Sequence, residues 1–310
     1  MRFKVILFLS TIMLFSCSLI GQSARVTNGA LFRTFMIETN FGRGTTFSID
    51  VDNREYWITA KHMFTGIKTG SAGVFTTKTV QANILSQVGD GDEGHDLHWM
   101  NETFTVIDPG KDIDILVLVP DHLLIGYARD FTLKTGAKGA GVGGDCEFLG
   151  FPYGGGWKVQ WTDSTVPDTK TWKWLPYVKH CTISARLQEK GLGIWVLDGI
   201  NNEGFSGGPV FFETGPNQSV FAVISGFHQE PLEVLPAPFP GGKQTSSIPP
   251  SPKLPGEKSK EPEKEIVNAN SGFILAFDIQ PAMKAIQDNP IGPLRPEASS
   301  AGGPGPISNK

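Results

Sequence analysis

The sequence lacks a basic stretch, since lysines and arginines form no run in it. Its 27 lysines and arginines are also outnumbered by 31 acidic residues, and the formal net charge is −4. Proteins that bind DNA or RNA usually present a basic face to the phosphates, so no nucleic-acid partner is expected. Alternating strands and helices are also lacking, which disfavours a parallel α/β sheet. The composition otherwise suits one large or two small globular domains.

Cysteine is scarce as well, since the chain contains only Cys17, Cys146 and Cys181. In an oxidising compartment Cys146 and Cys181 can form one disulfide, whereas in the alternative they are two separate buried side chains. Both alternatives stay open. Two cysteines alone cannot complete a zinc site, and the sequence implies no metal and no cofactor.

The N-terminus has the pattern of a signal peptide. Arg2 and Lys4 precede an apolar run at 5–15 that is too short to span a bilayer comfortably, and small or polar residues follow. We therefore predict a signal peptide over residues 1–24. The mature protein is expected outside the cytoplasm, in the periplasm, the cell envelope or the extracellular medium.

Two outcomes of export remain open. Residues 14–17 read Leu-Phe-Ser-Cys and resemble the lipobox of bacterial lipoproteins, in which the cysteine is lipidated. Lipidation of Cys17 would attach the protein to a membrane. Simple cleavage near residues 21–24 would release it.

Residues 25–227 consist of short β-rich runs separated by Gly, Asn and Asp, a pattern typical of an all-β sandwich or barrel. A further strand is predicted at 271–277, followed by a short helix at 281–287. The runs that predict strands in the first part are 45–51, 55–59, 113–119, 146–150, 194–197 and 220–227.

Two segments have a composition that opposes packing. Residues 231–266 are rich in Pro, Ser, Gly and Lys, and residues 289–310 are rich in Gly, Pro and Ser. Such segments bury too little apolar surface to offset their ordering entropy. We therefore predict a folded domain over 25–288 that is interrupted by a flexible segment at about 231–266, and a disordered tail from 289.

The strongest chemical signal is the hexapeptide Gly-Phe-Ser-Gly-Gly-Pro at 204–209. A nucleophilic serine needs a tight turn that exposes its hydroxyl and aims backbone N–H groups at the developing oxyanion. Gly204 lets the backbone turn, and the glycines after Ser206 allow a substrate chain to approach. The same hexapeptide could also be a simple Gly-rich turn between strands.

Two further patterns could supply the partners of such a serine. His62 directly follows an apolar strand at 56–58, where a general base would be partly shielded. Asp112 and Asp114 lead another apolar strand, where a carboxylate could orient an imidazole. Side chains two residues apart on a strand share a face, so alternation cannot choose between these two carboxylates.

Taken together, these patterns resemble the trypsin-like serine peptidases, and among them the bacterial HtrA-like (Deg) branch. The order His, Asp, Ser is that of the family, and Asp198 precedes Ser206 by eight residues as an Asp does in the HtrA-like enzymes. Residues 144–152 match the distinctive pattern Gly-Asp-x-x-x-x-Gly-x-Pro. Two further family-like strands are 44–49 and 271–276.

The resemblance implies an all-β fold, a chymotrypsin-like double antiparallel β-barrel with a short C-terminal helix. It implies that Ser206 attacks a peptide carbonyl and His62 serves as its base. Asp114 would orient His62; we favour it over Asp112 because the family has a small residue two positions after this Asp. The N–H groups of Gly204 and Ser206 would form the oxyanion hole. No PDZ-like domain is evident after the peptidase domain.

The sequence departs from the pattern of the digestive family members at a position that controls their activation. Digestive members of the family carry an Asp immediately before the nucleophile, and it pairs with a newly cut N-terminus to order the site. Phe205 occupies that position here, so this ion pair cannot form. The site is therefore expected to order without zymogen cleavage, as in the HtrA-like enzymes.

The resemblance also suggests which residues bind substrate. Ile200 falls where the family sets the floor of the specificity pocket, and an apolar floor argues against a preference for Lys or Arg. Ser225, Gly226 and Phe227 would form the strand edge that pairs with a peptide or protein substrate, and Phe227 could narrow the pocket. The alternative function is a catalytically silent barrel that binds peptide or cell-envelope material. The oligomeric state is left open.

Overall fold

The computed structural model describes residues 26–67, 73–90, 96–125, 133–162, 170–189, 191–213, 218–234 and 265–296. Strands dominate these ranges, and the helices in them are short. The helices are α1 (Asn28–Phe32), α2 (His62–Thr65) and α3 (Gln280–Asp288), with one 3₁₀ turn at Pro152–Gly154.

The first half of the chain forms a closed antiparallel barrel. Its six strands are β1 (Thr34–Thr39), β2 (Gly42–Val51), β3 (Arg54–Thr59), β4 (Thr79–Asp90), β5 (Asp96–Ile107) and β6 (Leu116–Pro120). They are hydrogen-bonded in the order β1–β2–β3–β6–β5–β4, and β4 pairs back to β1, with Ile37 opposite Ile84. Closure leaves no free edge within this ring of strands.

A tight hairpin sets the direction of the strand that leads to His62. Asp52 and Asn53 connect β2 to β3, and both have positive φ angles, 49° and 61°. Val51 pairs with Arg54 across them. Asp and Asn tolerate this left-handed conformation, and such two-residue turns match the twist of the paired strands.

The second half forms another closed antiparallel barrel. Its strands are β8 (Asp145–Gly150), β11 (Tyr177–Glu189), β12 (Leu192–Asp198), β13 (Pro209–Phe212), β14 (Ser219–Val234) and β15 (Glu265–Asp278). Their order is β13–β8–β11–β12–β15–β14, and β14 pairs back to β13. The predicted double antiparallel β-barrel with a C-terminal helix is therefore confirmed.

Three short strands lie outside the two rings. The hairpin of β9 (Trp157–Thr162) and β10 (Lys170–Leu175) extends the first barrel from β4. The two-residue strand β7 (Lys134–Thr135) pairs in parallel with the start of β14. Within the described ranges no helix has both the length and the apolar character needed to cross a membrane.

One buried cluster joins the two barrels and the C-terminal helix. Phe47 and Ile58 come from the first barrel, Leu149 and Val223 from the second, and Ile286 from α3. Each of these side chains is at most 1% exposed. Because residues of both barrels belong to one contiguous apolar cluster, its packing helps to hold the barrels together.

The prediction of a disordered tail from residue 289 is wrong for residues 289–296. Arg295 is only 6% exposed, and its guanidinium donates to Asp50 and Glu55 at 2.9 and 2.6 Å. Pairing with the buried Glu55 and the partly buried Asp50 orders a segment whose composition alone would not. Residues 297–310 lie outside the described ranges.

The flexible segment predicted at 231–266 is also corrected at its ends. Residues 231–234 pair with residues 265–268 as the outer part of a long hairpin between β14 and β15. The backbone pairing along this ladder places these residues in strands, although the composition of 231–266 as a whole opposes packing. Residues 235–264, like the predicted signal peptide at 1–24 and Cys17, lie outside the described ranges.

Candidate active site

His62 lies where the apolar strand β3 ends on the first barrel. It begins the short helix α2, whose turn is closed by a hydrogen bond from Gly66 N to His62 O at 2.9 Å. Gly66 has a φ of 70°, which a residue without Cβ adopts without strain. The imidazole is 6% exposed, so only its outer edge reaches solvent.

Asp114 holds the histidine from two sides. The backbone N–H of His62 donates to Asp114 Oδ1 at 2.8 Å, and Nδ1 donates to Oδ2 at 2.7 Å. A carboxylate accepts hydrogen bonds, so the ring proton belongs on Nδ1, and Nε2 is left as the acceptor. Within the described residues Nε2 has no hydrogen-bond partner. The arrangement suits a general base.

Asp112 occupies a different place. It lies in a turn before β6 begins at Leu116, and within the described residues it makes no hydrogen bond to His62. Of the two carboxylates considered from the sequence, Asp114 is the one that the structure brings to the imidazole.

Ser206 lies on the loop of residues 199–208, which we call the nucleophile loop. Gly204 and Gly207 in it have φ angles of 102° and 84°. A Cβ at Gly204 would lie 2.2 Å from Phe151 O, and one at Gly207 would lie 2.2 Å from Thr45 O. The close approach of neighbouring backbone therefore explains why both positions require glycine.

Two threonines of the first barrel fasten the nucleophile loop of the second. Thr45 N donates to Ser206 O at 2.8 Å, and Thr45 Oγ1 donates to Gly204 O at 2.6 Å. Thr59 Oγ1 in turn donates to Thr45 O at 2.8 Å. Since Thr59 is three residues before His62, these bonds bring Ser206 to the histidine side of the cleft.

The hydroxyl of Ser206 points to a backbone carbonyl. Ser206 Oγ donates to Ser225 O at 3.4 Å, and no hydrogen bond joins it to His62 among the described residues. Neither Gly204 N nor Ser206 N donates to an acceptor in this part of the chain. Within the described residues, the two N–H groups expected to form an oxyanion hole thus have no protein acceptor.

Ser225 takes a role that the sequence did not indicate. We expected it on the edge strand that pairs with substrate, and it does lie on β14. Its Oγ donates to Asp114 Oδ2 at 2.5 Å, which adds a third hydrogen bond to that carboxylate.

The predicted specificity residues are arranged differently from the expectation of an apolar floor. Ile200 is 65% exposed, whereas its neighbour Asn201 is 1% exposed. Asn201 Nδ2 donates to Gly226 O at 3.3 Å. Phe227 follows on β14 and is partly buried. The residue buried beside Gly226 is therefore polar, and no pattern in the sequence predicted it.

The sequence patterns also did not predict a role for Lys61, although it directly precedes His62. Its side chain is fully buried, and Nζ lies 2.6 Å from both Asp108 Oδ1 and Gly110 O. These contacts connect the end of β3 to the segment that leads to Asp114. A lysine next to a predicted base reads as a surface residue in the sequence, so only the fold reveals this connection.

The two later cysteines lie on neighbouring strands. Cys146 on β8 is directly opposite Cys181 on β11, their Cα atoms are 5.0 Å apart, and their sulfurs form a disulfide. Cross-strand neighbours at this separation meet the geometric requirement for a bridge.

The class of protein follows from the two barrels and the position of the site between them. His62 and Asp114 lie on the first barrel, Ser206 lies on the second, and the three occur in this order along the chain. The chain has the chymotrypsin-like fold of the trypsin-like serine peptidases.

No family model matches the sequence, and no curated protein matches it. Among solved structures, the active form of the Rv3671c protease from M. tuberculosis is 15% identical, with 87% of this chain and 85% of that chain covered and a TM-score of 0.42. The HtrA-type protease AlgW with a tripeptide is 14% identical, with coverages of 84% and 60% and a TM-score of 0.46. A mutant of human heparin binding protein is 14% identical, with coverages of 89% and 100% and a TM-score of 0.44.

Proposed function

We propose that this protein is an exported serine endopeptidase that hydrolyses peptide bonds through an acyl-enzyme on Ser206. The observation that carries the proposal is the double hydrogen bond from His62 to Asp114, at 2.8 and 2.7 Å, next to a serine on a glycine-constrained loop. A histidine fixed in this tautomer with Nε2 free is what an activated serine requires.

The reaction proceeds in two halves. Ser206 Oγ first turns from Ser225 O toward His62 Nε2, gives up its proton to that nitrogen and bonds to the carbonyl carbon of the substrate. The protonated ring then delivers the proton to the amine, which leaves as the C–N bond breaks. In the second half, water gives a proton to Nε2 and its oxygen attacks the acyl carbon, and the proton returns to Ser206 Oγ as the C–O bond breaks.

Negative charge on the carbonyl oxygen is stabilised by backbone dipoles in this proposal. Gly204 N and Ser206 N are the donors, since neither has an acceptor within the described residues. Removing one such donor typically costs about 10²- to 10³-fold in rate. Asp114 stabilises the imidazolium that forms during each proton transfer.

The subclass and the localisation rest on the sequence. The pattern Gly-Asp-x-x-x-x-Gly-x-Pro at 144–152 supports an HtrA-like enzyme, and Phe205 supports a site that orders without zymogen cleavage. The apolar N-terminal run supports export, with attachment through a lipidated Cys17 as one of its two outcomes. The substrates are peptides or proteins.

The test is labelling of the purified protein with a fluorophosphonate, which reacts rapidly only with an activated serine. The wild type is expected to label, and the Ser206→Ala and His62→Ala variants are not. Circular dichroism of all three proteins checks that each is folded. A folded wild-type protein that does not label would overturn the proposal.

A second candidate function is a catalytically silent barrel that binds peptide or cell-envelope material. It is favoured by one observation, the hydrogen bond from Ser206 Oγ to Ser225 O in place of one to His62. The same labelling experiment separates the two functions, because a silent barrel leaves Ser206 unlabelled while a peptide still binds in the cleft.

A further inference from the structure

Lys179 reaches from a strand of the second barrel to the start of the nucleophile loop. It lies on β11, opposite Phe148 on β8. Its Nζ donates to Ile200 O at 2.7 Å and to Asn202 Oδ1 at 2.6 Å. Hydrogen bonds from a charged donor at such distances are among the strong ones in proteins. Within the described residues Lys179 is the donor to both of these oxygens.

The same ammonium group contacts the other end of the segment. Lys179 Nζ lies 5.3 Å from the centroid of the Phe205 ring, within the range of a cation–π contact. Phe205 is fully buried and packs edge-on against Phe148, with ring centroids 5.0 Å apart. Lys179 thus contacts residues on both sides of the turn that precedes Ser206.

The residues held by Lys179 enclose one of the two oxyanion donors. Gly204 lies between Asn202 and Phe205, and Phe205 N donates to Asn202 O at 3.3 Å across this turn. If Asn202 or Phe205 moves, the peptide that carries Gly204 N turns with it. The direction of this N–H group therefore depends on the two residues that the ammonium contacts.

The surroundings of Lys179 affect the protonation of its side chain. Burial lowers the pKa of Lys179, because desolvation disfavours its charged form. Asn202 is held from its other side as well, since its Nδ2 donates to Tyr153 Oη at 3.1 Å. Lys179 is partly buried, and the two loop oxygens accept hydrogen bonds from its ammonium group.

We propose that Lys179 is a positioning residue for the oxyanion hole, which holds residues 200–205 so that Gly204 N faces the substrate carbonyl. In digestive relatives the residue before the nucleophile anchors this loop through its charge, and here Phe205 has no charge to offer. The cation comes instead from strand β11, so the loop is held without any cleavage of the chain. This inference rests on the proposed function.

The test measures inactivation of the purified protein by a fluorophosphonate, with the maximal rate constant kinact and the half-saturating concentration KI determined separately. Lys179→Met keeps the length of the side chain and removes the charge. We expect kinact to fall about 10- to 100-fold, because a misplaced oxyanion donor weakens the transition state, and KI to change less than about threefold. Lys179→Arg should recover most of the rate. Lys284→Met removes an exposed lysine whose one hydrogen bond within the described residues is to Asp288, and this variant should match the wild type.

A second variant removes the hydrogen bond between Lys179 and Asn202 from the loop side. Asn202→Ala leaves the strand and the lysine intact, and we expect kinact to fall in the same direction but less. Melting temperatures identify any variant that fails to fold, and if Lys179→Met does so, Asn202→Ala and Lys179→Arg decide. A wild type that labels beside folded variants of unchanged kinact would overturn the role of Lys179 alone. A folded wild type that does not label would overturn the proposed function, and this inference with it.

Discussion

Ser225 Oγ donates a hydrogen bond to Asp114 Oδ2 over 2.5 Å, so the carboxylate that is hydrogen-bonded to His62 is itself held from the second barrel. Asp114 belongs to the first barrel and Ser225 to strand β14 of the second. The spacing between the barrels therefore affects the proposed base His62 as well as the proposed nucleophile Ser206.

Ser225→Ala removes this hydrogen bond and leaves the Ser225 carbonyl in place. Hydrogen bonds to charged groups contribute about 1.5–3 kcal/mol, and since only part of this acts on the imidazole, we expect fluorophosphonate labelling to slow about tenfold. Ser48→Ala is a matched control, because the buried Ser48 hydroxyl has no partner within the described residues. Equal labelling rates in both variants would show that Asp114 does not need the bond.

The choice between the two carboxylates can be tested directly. Asp114→Asn replaces an acceptor of the His62 Nδ1 proton by an amide that can favour the wrong tautomer, and losses of about 10⁴-fold are typical of this change. Asp112→Asn should retain nearly the full labelling rate, because Asp112 makes no hydrogen bond to His62 among the described residues. The opposite result would assign the orienting role to Asp112.

Thr45→Val tests the connection between the barrels at the nucleophile loop. Thr45 Oγ1 donates to Gly204 O at 2.6 Å and accepts from Phe151 N at 3.2 Å, and valine leaves both groups buried without a partner. We expect a loss of about 2 to 4 kcal/mol in the free energy of unfolding, together with slower labelling.

The control for Thr45→Val lies next to it. Thr46 Oγ1 donates to Ile58 O at 2.9 Å, inside the first barrel and away from the loop. Thr46→Val should also lower the free energy of unfolding, measured by urea denaturation, but should leave the labelling rate close to that of the wild type. If both variants lose labelling equally, the effect of Thr45 is on stability alone.

Glu55 gives a prediction about pH. Its carboxylate accepts from Trp57 Nε1 at 2.8 Å and lies 2.6 Å from Arg295 Nη2, yet burial raises its pKa above the ordinary value of 4.5. The hydrogen bond from Trp57 and the charge of Arg295 oppose this shift. The folded protein therefore binds the proton of Glu55 more tightly than the unfolded chain does. The stability that follows is complete below pH 4.5 and is lost as the pH rises through the raised pKa.

Glu55→Gln removes the carboxyl group that titrates, so the variant serves as the reference for the wild type at each pH. The free energy of unfolding of the wild type minus that of Glu55→Gln should fall as the pH rises above about 4.5 and then level off. Urea denaturation between pH 4 and 8 measures this difference. A difference that grows with pH would mean that the ion pair with Arg295 outweighs the cost of burying the carboxylate.

The sequence predicted the parts of the molecule that local patterns determine. Alternating apolar runs and turn residues predicted strands that agree with β2, β3, β8 and β14, and the helix predicted at 281–287 is α3. The hexapeptide around Ser206 predicted a tight turn because its glycines have a direct conformational meaning. These features need no knowledge of distant contacts.

What the sequence could not predict depends on distant contacts. Alternation could not separate Asp112 from Asp114, because residues two apart on a strand share a face. In the structure both lie before β6, which begins only at Leu116. Lys179 is far in sequence from the loop that it contacts, and Arg295 belongs to a segment whose composition resembles a tail. For such residues only the packed barrels show which partner each one meets.

The residues after α3 return to the first barrel: Arg54 pairs with Leu294, and Arg295 N donates to Asn53 O at 2.8 Å. During synthesis on a ribosome, this corner of the barrel cannot be completed until Arg295 has left the exit tunnel. Arg295, the counter-ion of Glu55, is synthesised 240 residues after it. The first barrel, which is synthesised first, therefore acquires its last contacts only after the second barrel has been synthesised, and the barrel that carries His62 is completed late.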